Sequence, residues 1–205
     1  MAGGRAPRPV YRVKAITHRR RPILTMSNMG MPLDDSDVAN SVGFAARLTV
    51  ELRRKGIPLR DVVCVTPECS LHLAVVSVRR AYAGIARQVA NIIWADKAGN
   101  FTPYVVVCDE DVDPADLAQV AHAITTRCHP VRGIHVDPDT PGNPLLPFAS
   151  LAERSLVKAP KCLIDCTWPV DWPPEAIPAK VSFATSYPPE LQQRVVQQWG
   201  SYGLR

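Results

Sequence analysis

Long apolar runs are missing from this 205-residue sequence, and no stretch approaches the roughly 20 apolar residues of a membrane-spanning helix. Acidic residues are missing from its first 22 positions, which hold seven Arg or Lys and no Asp or Glu. The rest of the chain then carries 17 basic against 19 acidic residues, so the net charge of +5 belongs to that opening segment alone. A nucleic-acid-binding face would spread basic side chains over folded surface among stacking aromatics. Here aromatics are only 6% of the chain, and His18-Arg19-Arg20-Arg21 reads as a solvated strand end. No glycine-rich phosphate loop, Ser-centred elbow or paired-histidine zinc motif occurs. The expected protein uses neither membrane nor nucleic acid and works in the cytoplasm.

What is present suits a globular α/β fold, with 46% of residues hydrophobic. Twenty prolines gather before residue 33 and between Pro138 and Pro189, so the second half should contain long ordered loops. Val10–Thr17 reads as a strand. Asp34-Asp35-Ser36-Asp37 supplies caps and negative charge for a helix start, and Val38, Val42, Ala45, Leu48 and Leu52 form its apolar stripe. Basic Arg53, Arg54 and Lys55 follow, and Gly56 stops it. Asp61–Val65 and Leu71–Val78 read as a pair of strands around a proline turn. A second helix is expected over Ala83–Asp96, with Ile85, Val89, Ile92 and Ile93 inward.

Tyr104–Cys108 is a continuous apolar run, as in a sheet covered on both faces. Asp113 then reads as a helix cap with Pro114 in first position, and Leu117, Val120, Ala121 and Ile124 inward. Ile134–Val136 and Cys162–Ile164 read as strands, and Glu190–Trp199 as a terminal helix. The predicted fold is one α/β domain over 1–205: a mixed sheet covered by helices, a long Pro-rich loop region and a C-terminal helix.

Candidate chemistry is sparse. Asp109, Glu110, Asp111 and Asp113 follow an apolar strand, where carboxylates can hold Mg²⁺ for phosphoryl transfer, with Lys161 and Asp165 as helpers. The simpler reading has Asp113 as a cap and the others in solvent. Cys128-His129 is half of a thiol nucleophile site, although neighbours on one backbone rarely face each other. His72 and His122 lie in apolar runs and read as satisfied interior histidines. The six cysteines, at 64, 69, 108, 128, 162 and 166, fit zinc-knuckle spacing poorly and read as free thiols. The stretch CTWPVDWPP from Cys166 to Pro174 is a stiff aromatic loop that can line a pocket or anchor an interface.

Several blocks carry a resemblance when taken in order: VKAITHRRRPIL, GIPLRDVVCV, VVSVRRAYAGIARQVA, VVVCDEDVDPADLAQVAHAITTRCHP, GNPLLPF, DCTWPVDWP and VSFATSYPPELQQRVVQQWGSYG. Together they resemble the C-terminal domain of UbiD-type decarboxylases, from about Arg5 to Gly203. The aromatic loop is most similar to members acting on aromatic or heteroaromatic acids.

The resemblance implies a longer enzyme in which an N-terminal α/β domain and a flavin-reductase-like β-barrel come first. Those parts would hold prenylated FMN with Mn²⁺ and K⁺, and the arginine and glutamates of proton transfer. Met1 would then be an internal methionine of a longer reading frame. On this basis no catalytic, cofactor-binding or metal-binding residue falls in the chain. The flavin supplies the electron demand beside the carboxylate, and the protein orients substrate and moves protons.

By the same resemblance, Ser36 and Asn40 face the substrate from the first helix, and Phe183 and Thr185 approach it from the C-terminal side. Thr140 and Asn143 are further pocket candidates. The Asn40 amide can donate and accept, so it could bind a ring N–H or hydroxyl; the alternative has it facing solvent. The expected function is the C-terminal portion of a non-oxidative carboxy-lyase acting on an aromatic acid, inactive alone. Homo-oligomer contacts would run through this domain and its C-terminal helix, with the N-terminal domains supplied in cis or in trans. The other expectation is a non-catalytic assembly or regulatory subunit that docks on a separate decarboxylase chain.

Overall fold

The computed structural model describes residues 7, 9–27, 30, 31 and 33–203. The chain divides into two compact units, Met1–Trp168 and Pro169–Arg205.

The first unit is built on a five-stranded mixed sheet of order β1-β2-β3-β5-β4. Its strands are β1 Cys64–Val65, β2 Leu73–Val78, β3 Tyr104–Asp109, β4 Ile134–Pro141 and β5 Lys158–Cys166. β2, β3 and β5 run parallel, while β1 and β4 pair antiparallel at the edges. The helices are α1 Asp35–Arg54, α2 Ile85–Ala95, α3 Leu117–Thr126 and the short α4 Leu151–Leu156.

The strand patterns explain the layering. Leu48 and Leu52 of α1 and Ile85, Val89 and Ile93 of α2 pack on Ala74, Val76, Val105, Val107 and Leu163. The alternate residues Val75, Val106, Cys108 and Cys166 face Val120 and Ala123 of α3. With both faces covered, β3 has no polar alternation to keep, which is why it reads as an unbroken apolar run. Each fully buried Leu or Val stabilises the fold by about 1.5–3 kcal/mol.

α1 begins where its acids announce it. Asp34 caps it, Oδ1 accepting from the Asp37 N–H at 3.0 Å, and Gly56 at φ 76° takes the left-handed turn that ends it. The apolar stripe is only half correct, however. Val38 and Val42 are 45% and 65% exposed, and Asp37 and Ser41 take the inward positions instead.

Three further expectations need correction. Residues 9–19 contain no strand, and Val10 is 95% exposed; among the described residues no strand pairs with their backbone. α3 starts at Leu117 rather than at Pro114. Asp116 Oδ1 caps it by accepting from the N–H groups of Ala118 and Gln119 at 2.9 and 3.2 Å, and Asp113 instead caps the preceding turn through Ala115 N–H at 2.9 Å. Consequently Leu117 and Ala121 are exposed, and Ala123 is buried in their place. His122 also faces solvent, whereas His72 is half-buried.

The second unit contains α5 Phe183–Ser186, α6 Pro189–Gln197 and 3₁₀ turns at Pro174–Ala176 and Trp199–Tyr202. Ser182 and Thr185 form a capping box at the start of α5. Gln192 of α6 donates to the carbonyls of Ala184 and Tyr187 at 3.1 and 2.7 Å, joining the two helices.

Candidate substrate-facing site

The first turn of α1 gathers the polar groups expected to meet a substrate. Ser27 Oγ lies 2.6 Å from Asp34 Oδ2, to which it donates, and 2.8 Å from Ser36 Oγ. Ser36 is half-buried; Asn40, one turn later on the same helix face, is exposed. Between them Asp37 is fully buried, and among the described residues neither carboxylate oxygen has a hydrogen-bond partner. It acts on His72, whose imidazole is pushed by burial toward the neutral form, an effect the Asp37 charge opposes. Nothing in the sequence marks Asp37 as buried, because its acidic neighbours read as one solvated capping run.

The other candidates are placed differently. Thr140 sits at the register shift in β4 and donates Oγ1 to the Ala159 carbonyl at 2.6 Å. Asn143 is buried, and its Oδ1 accepts from the Leu145 N–H at 2.9 Å in the turn after β4. Both side chains therefore shape the β4–β5 end of the sheet. In the second unit the Phe183 ring is 44% exposed and tilts against Tyr187 at 5.8 Å. Thr185 Oγ1 accepts from the Ser182 N–H at 3.1 Å and donates to the Lys180 carbonyl.

A cavity of about 850 Å³ lies elsewhere, between α1, α2 and the ends of β4 and β5. Glu51, Arg87, Asn91, Asp96, His135 and Asp165 are among its lining residues, and Arg87 Nη2 stands 2.7 Å from His135 Nδ1. None of the six sequence candidates lines it. We regard the α1 turn, not this groove, as the candidate site. Two of the groove's acids are already engaged: Asp96 accepts from Arg47 Nε at 2.8 Å, and Asp165 Oδ1 accepts from the Thr167 N–H.

The acidic run after β3 is dispersed over three structural tasks. Asp109 is buried and accepts the Trp168 N–H on Oδ2 at 2.9 Å; burial pushes its carboxyl above the usual range. Asp111 takes both Nη atoms of Arg127 at 2.7 and 2.6 Å. Glu110 is exposed, and Asp113 caps a turn. The reading of these acids as solvated is thus corrected for Asp109, while Asp111 is exposed but ion-paired.

Lys161, the helper proposed for phosphoryl transfer, is buried under the Trp94 ring and donates to Asn100 Oδ1 at 3.3 Å. Burial lowers its pKa. All six cysteines are free thiols, and Cys166 is held firmly in the thiol form by its hydrogen bond with Cys108 and by burial. Among the described residues no group of three or more His, Cys, Asp or Glu is placed to hold a metal ion, so these residues do not form a seat for the Mn²⁺ implied by the resemblance. No described helix is long and apolar enough to cross a membrane.

Comparison with known proteins bears on this geometry. Pyrrole-2-carboxylic acid decarboxylase of Pseudomonas aeruginosa is 27% identical over 97% of this chain and 41% of its own length. Vanillic acid decarboxylase of Sedimentibacter hydroxybenzoicus, in its open form, superposes with a TM-score of 0.68 at 26% identity, covering 91% of this chain and 38% of that one. A UbiD-class enzyme of Pelotomaculum thermopropionicum in complex with FMN shares the fold, with a TM-score of 0.61 at 24% identity over 72% of this chain and 32% of that one. The chain thus spans 41% of the length of the curated relative it matches. Residues 39–166 match the 3-octaprenyl-4-hydroxybenzoate carboxy-lyase C-terminal domain, and the chain belongs to that UbiD family.

Proposed function

We propose that this chain is the C-terminal portion of a non-oxidative carboxy-lyase that removes CO₂ from an aromatic or heteroaromatic acid with the help of prenylated FMN. The observation that carries the reading is the family match over residues 39–166, together with alignment to only 41% of a pyrrole-2-carboxylate decarboxylase. Ser36 and Asn40 of the first unit are substrate-facing residues in this reading, and so, taken by themselves, are Phe183 and Thr185 of the second. Thr140 and Asn143, after the β4 register shift, are further candidates for the pocket. Flavin, metal and proton-transfer groups come from polypeptide that precedes this portion in the longer enzymes, joined in cis or in trans.

Exposed apolar side chains support a missing partner surface. Val38, Val42 and Val50 recur along the outer face of α1, and Val13, Ile16, Ile23, Leu24 and Met26 in the opening segment are each at least 70% exposed, apart from the three helix valines at 45–65%. The reading also includes self-association of this domain and a cytoplasmic setting.

The test is CO₂ release from pyrrole-2-carboxylate and vanillate by purified 1–205 with reconstituted prenylated FMN. We expect neither turnover nor tight flavin binding from the chain alone, and both on adding the N-terminal polypeptide. Measurable turnover by 1–205 alone would overturn the proposal, as would silence from the assembled pair.

A further inference from the structure

Consecutive residues at the end of β5 are tied to side chains of the first unit. Thr167 gives its N–H and its hydroxyl to Asp165 Oδ1, at 2.9 and 2.7 Å. Trp168 gives its N–H to Asp109 Oδ2 at the end of β3, 59 residues earlier in sequence. The Trp168 ring lies under the Arg127 guanidinium, 5.5 Å from ring centroid to Cζ. Arg127 is itself held at both Nη atoms by Asp111 and has a side chain only 8% exposed. Its Nη1 stands 4.0 Å from Asp109 Oδ2.

This is an expensive way to hold a sheet together. Burying Asp109 and Arg127 removes two charges from water, and among the described residues Asp109 Oδ1 has no hydrogen-bond partner. The sheet does not require it, because β3 and β5 are already paired through Cys108 and Cys166. What the two charged side chains grip is Trp168, the last residue of the first unit. Pro169 follows, which confines Trp168 to extended backbone, and Pro169, Pro173 and Pro174 each have a fixed φ. These restrictions limit how far the loop can rearrange just after Trp168.

We propose that Asp109 and Arg127 are positioning residues: together they fix Trp168 as the rigid start of the aromatic loop Cys166–Pro174. Any consequence for substrate rests on the decarboxylase reading. The anchoring itself does not.

The experiment is backbone amide hydrogen exchange, resolved by NMR, on the full 205-residue chain and its variants. In Asp109→Ala the Trp168 amide should exchange at least tenfold faster than in wild type, and the amides of Val170, Asp171 and Trp172 should accelerate with it. Val106 and Val107 in β3 should keep their wild-type rates. Asp109→Asn, whose amide oxygen still accepts from Trp168, should show a smaller acceleration, and Arg127→Lys a partial one.

An unchanged Trp168 rate in Asp109→Ala would overturn the proposal. So would equal acceleration at Val106 and Val107, which would make Asp109 an ordinary core residue, or unchanged rates at 170–172, which would uncouple the loop from the anchor. Should Asp109→Ala not fold, wild-type rates at Trp168 in both Asp109→Asn and Arg127→Lys would overturn it equally. None of these readings depends on catalysis, so an inactive assembled enzyme would leave the anchor standing.

Discussion

Thr49 joins α1 to the entry of β1: its Oγ1 accepts the Val63 N–H at 2.9 Å while donating to the Ala45 carbonyl at 2.7 Å. Both residues are buried, at 3% and 1% exposure. Removing the hydroxyl but keeping the shape, as in Thr49→Val, strands a buried N–H and should destabilise the chain by about 1–3 kcal/mol. Thr49→Ser keeps the bond and should lose less than about 1 kcal/mol. Urea midpoints for the two variants give the comparison; equal losses would mean that packing of the methyl, not the hydrogen bond, is what Thr49 contributes.

The buried Lys161 should make stability depend on pH on the alkaline side. Burial lowers its folded pKa below the ordinary value of about 10.4. Between those two values the unfolded chain binds more protons than the folded one, so stability rises with pH across that window. Lys161→Met removes the charge and the slope. The variant should match or exceed wild type at pH 7, and the gap should narrow as pH approaches 10. Parallel stability curves would show that the ammonium is effectively hydrated in place.

Asp96 gives the opposite sign on the acid side. The hydrogen bond from Arg47, 2.8 Å from Nε, and the Ala98 N–H at 2.7 Å hold its carboxyl below the ordinary value of about 3.9. A depressed carboxyl stabilises the fold above its unfolded pKa and ceases to do so as pH falls through its folded one. Wild type should therefore lose stability on acidification below about pH 4 more steeply than Asp96→Asn. Thermal midpoints from pH 5 to pH 2 measure this, and identical curves would count against the pairing.

Gly99 is required by close approach of the backbone. A Cβ at this position would lie 1.7 Å from the Ile93 carbonyl oxygen and 2.5 Å from its carbon, and neither can rotate away. Gly99→Ala must push the 3₁₀ turn at Ala98–Phe101 off the end of α2. A loss in the upper part of the roughly 1–3 kcal/mol range for overpacking is expected, read from the thermal midpoint. A wild-type midpoint would mean that the turn can yield without cost.

The legible parts of this fold are those where local chemistry and tertiary packing agree. Asp34 and Gly56 bracket α1 because capping geometry is local, and β3 shows its double-sided burial in an unbroken apolar run. Where a residue's fate depends on distant partners, the pattern misleads. Asp113 and Asp116 both have capping chemistry, and only the packing of Val120 and Ala123 on the sheet selects Asp116. Val38 and Val42 continue the stripe of Leu48 and Leu52 on a helical wheel, yet they point away from the sheet while Asp37 is buried. Val10–Thr17 has strand composition without a neighbouring strand among the described residues. Of the candidate site, Ser36 and Asn40 share the face that helical spacing predicts, whereas the tie between Asp109 and Trp168 spans 59 residues and leaves no local signal.

Asn40 offers the sharpest test of the substrate wall. It stands exposed one turn beyond Ser36, with an amide able both to donate and to accept. In a closed pocket an aromatic acid carrying a ring N–H or a hydroxyl would satisfy that amide, and an acid with neither would leave it unpaired at a cost of about 1–3 kcal/mol. Asn40→Leu in the assembled enzyme should therefore lower kcat/KM for pyrrole-2-carboxylate or vanillate by about 5- to 150-fold. For an acid without such a group the same variant should change kcat/KM by less than about threefold, or raise it. The ratio of the two values is the quantity to measure, because a general loss of folding or assembly lowers both together. A ratio unmoved by Asn40→Leu would remove Asn40 from the pocket and leave Ser36 as the α1 side chain to examine.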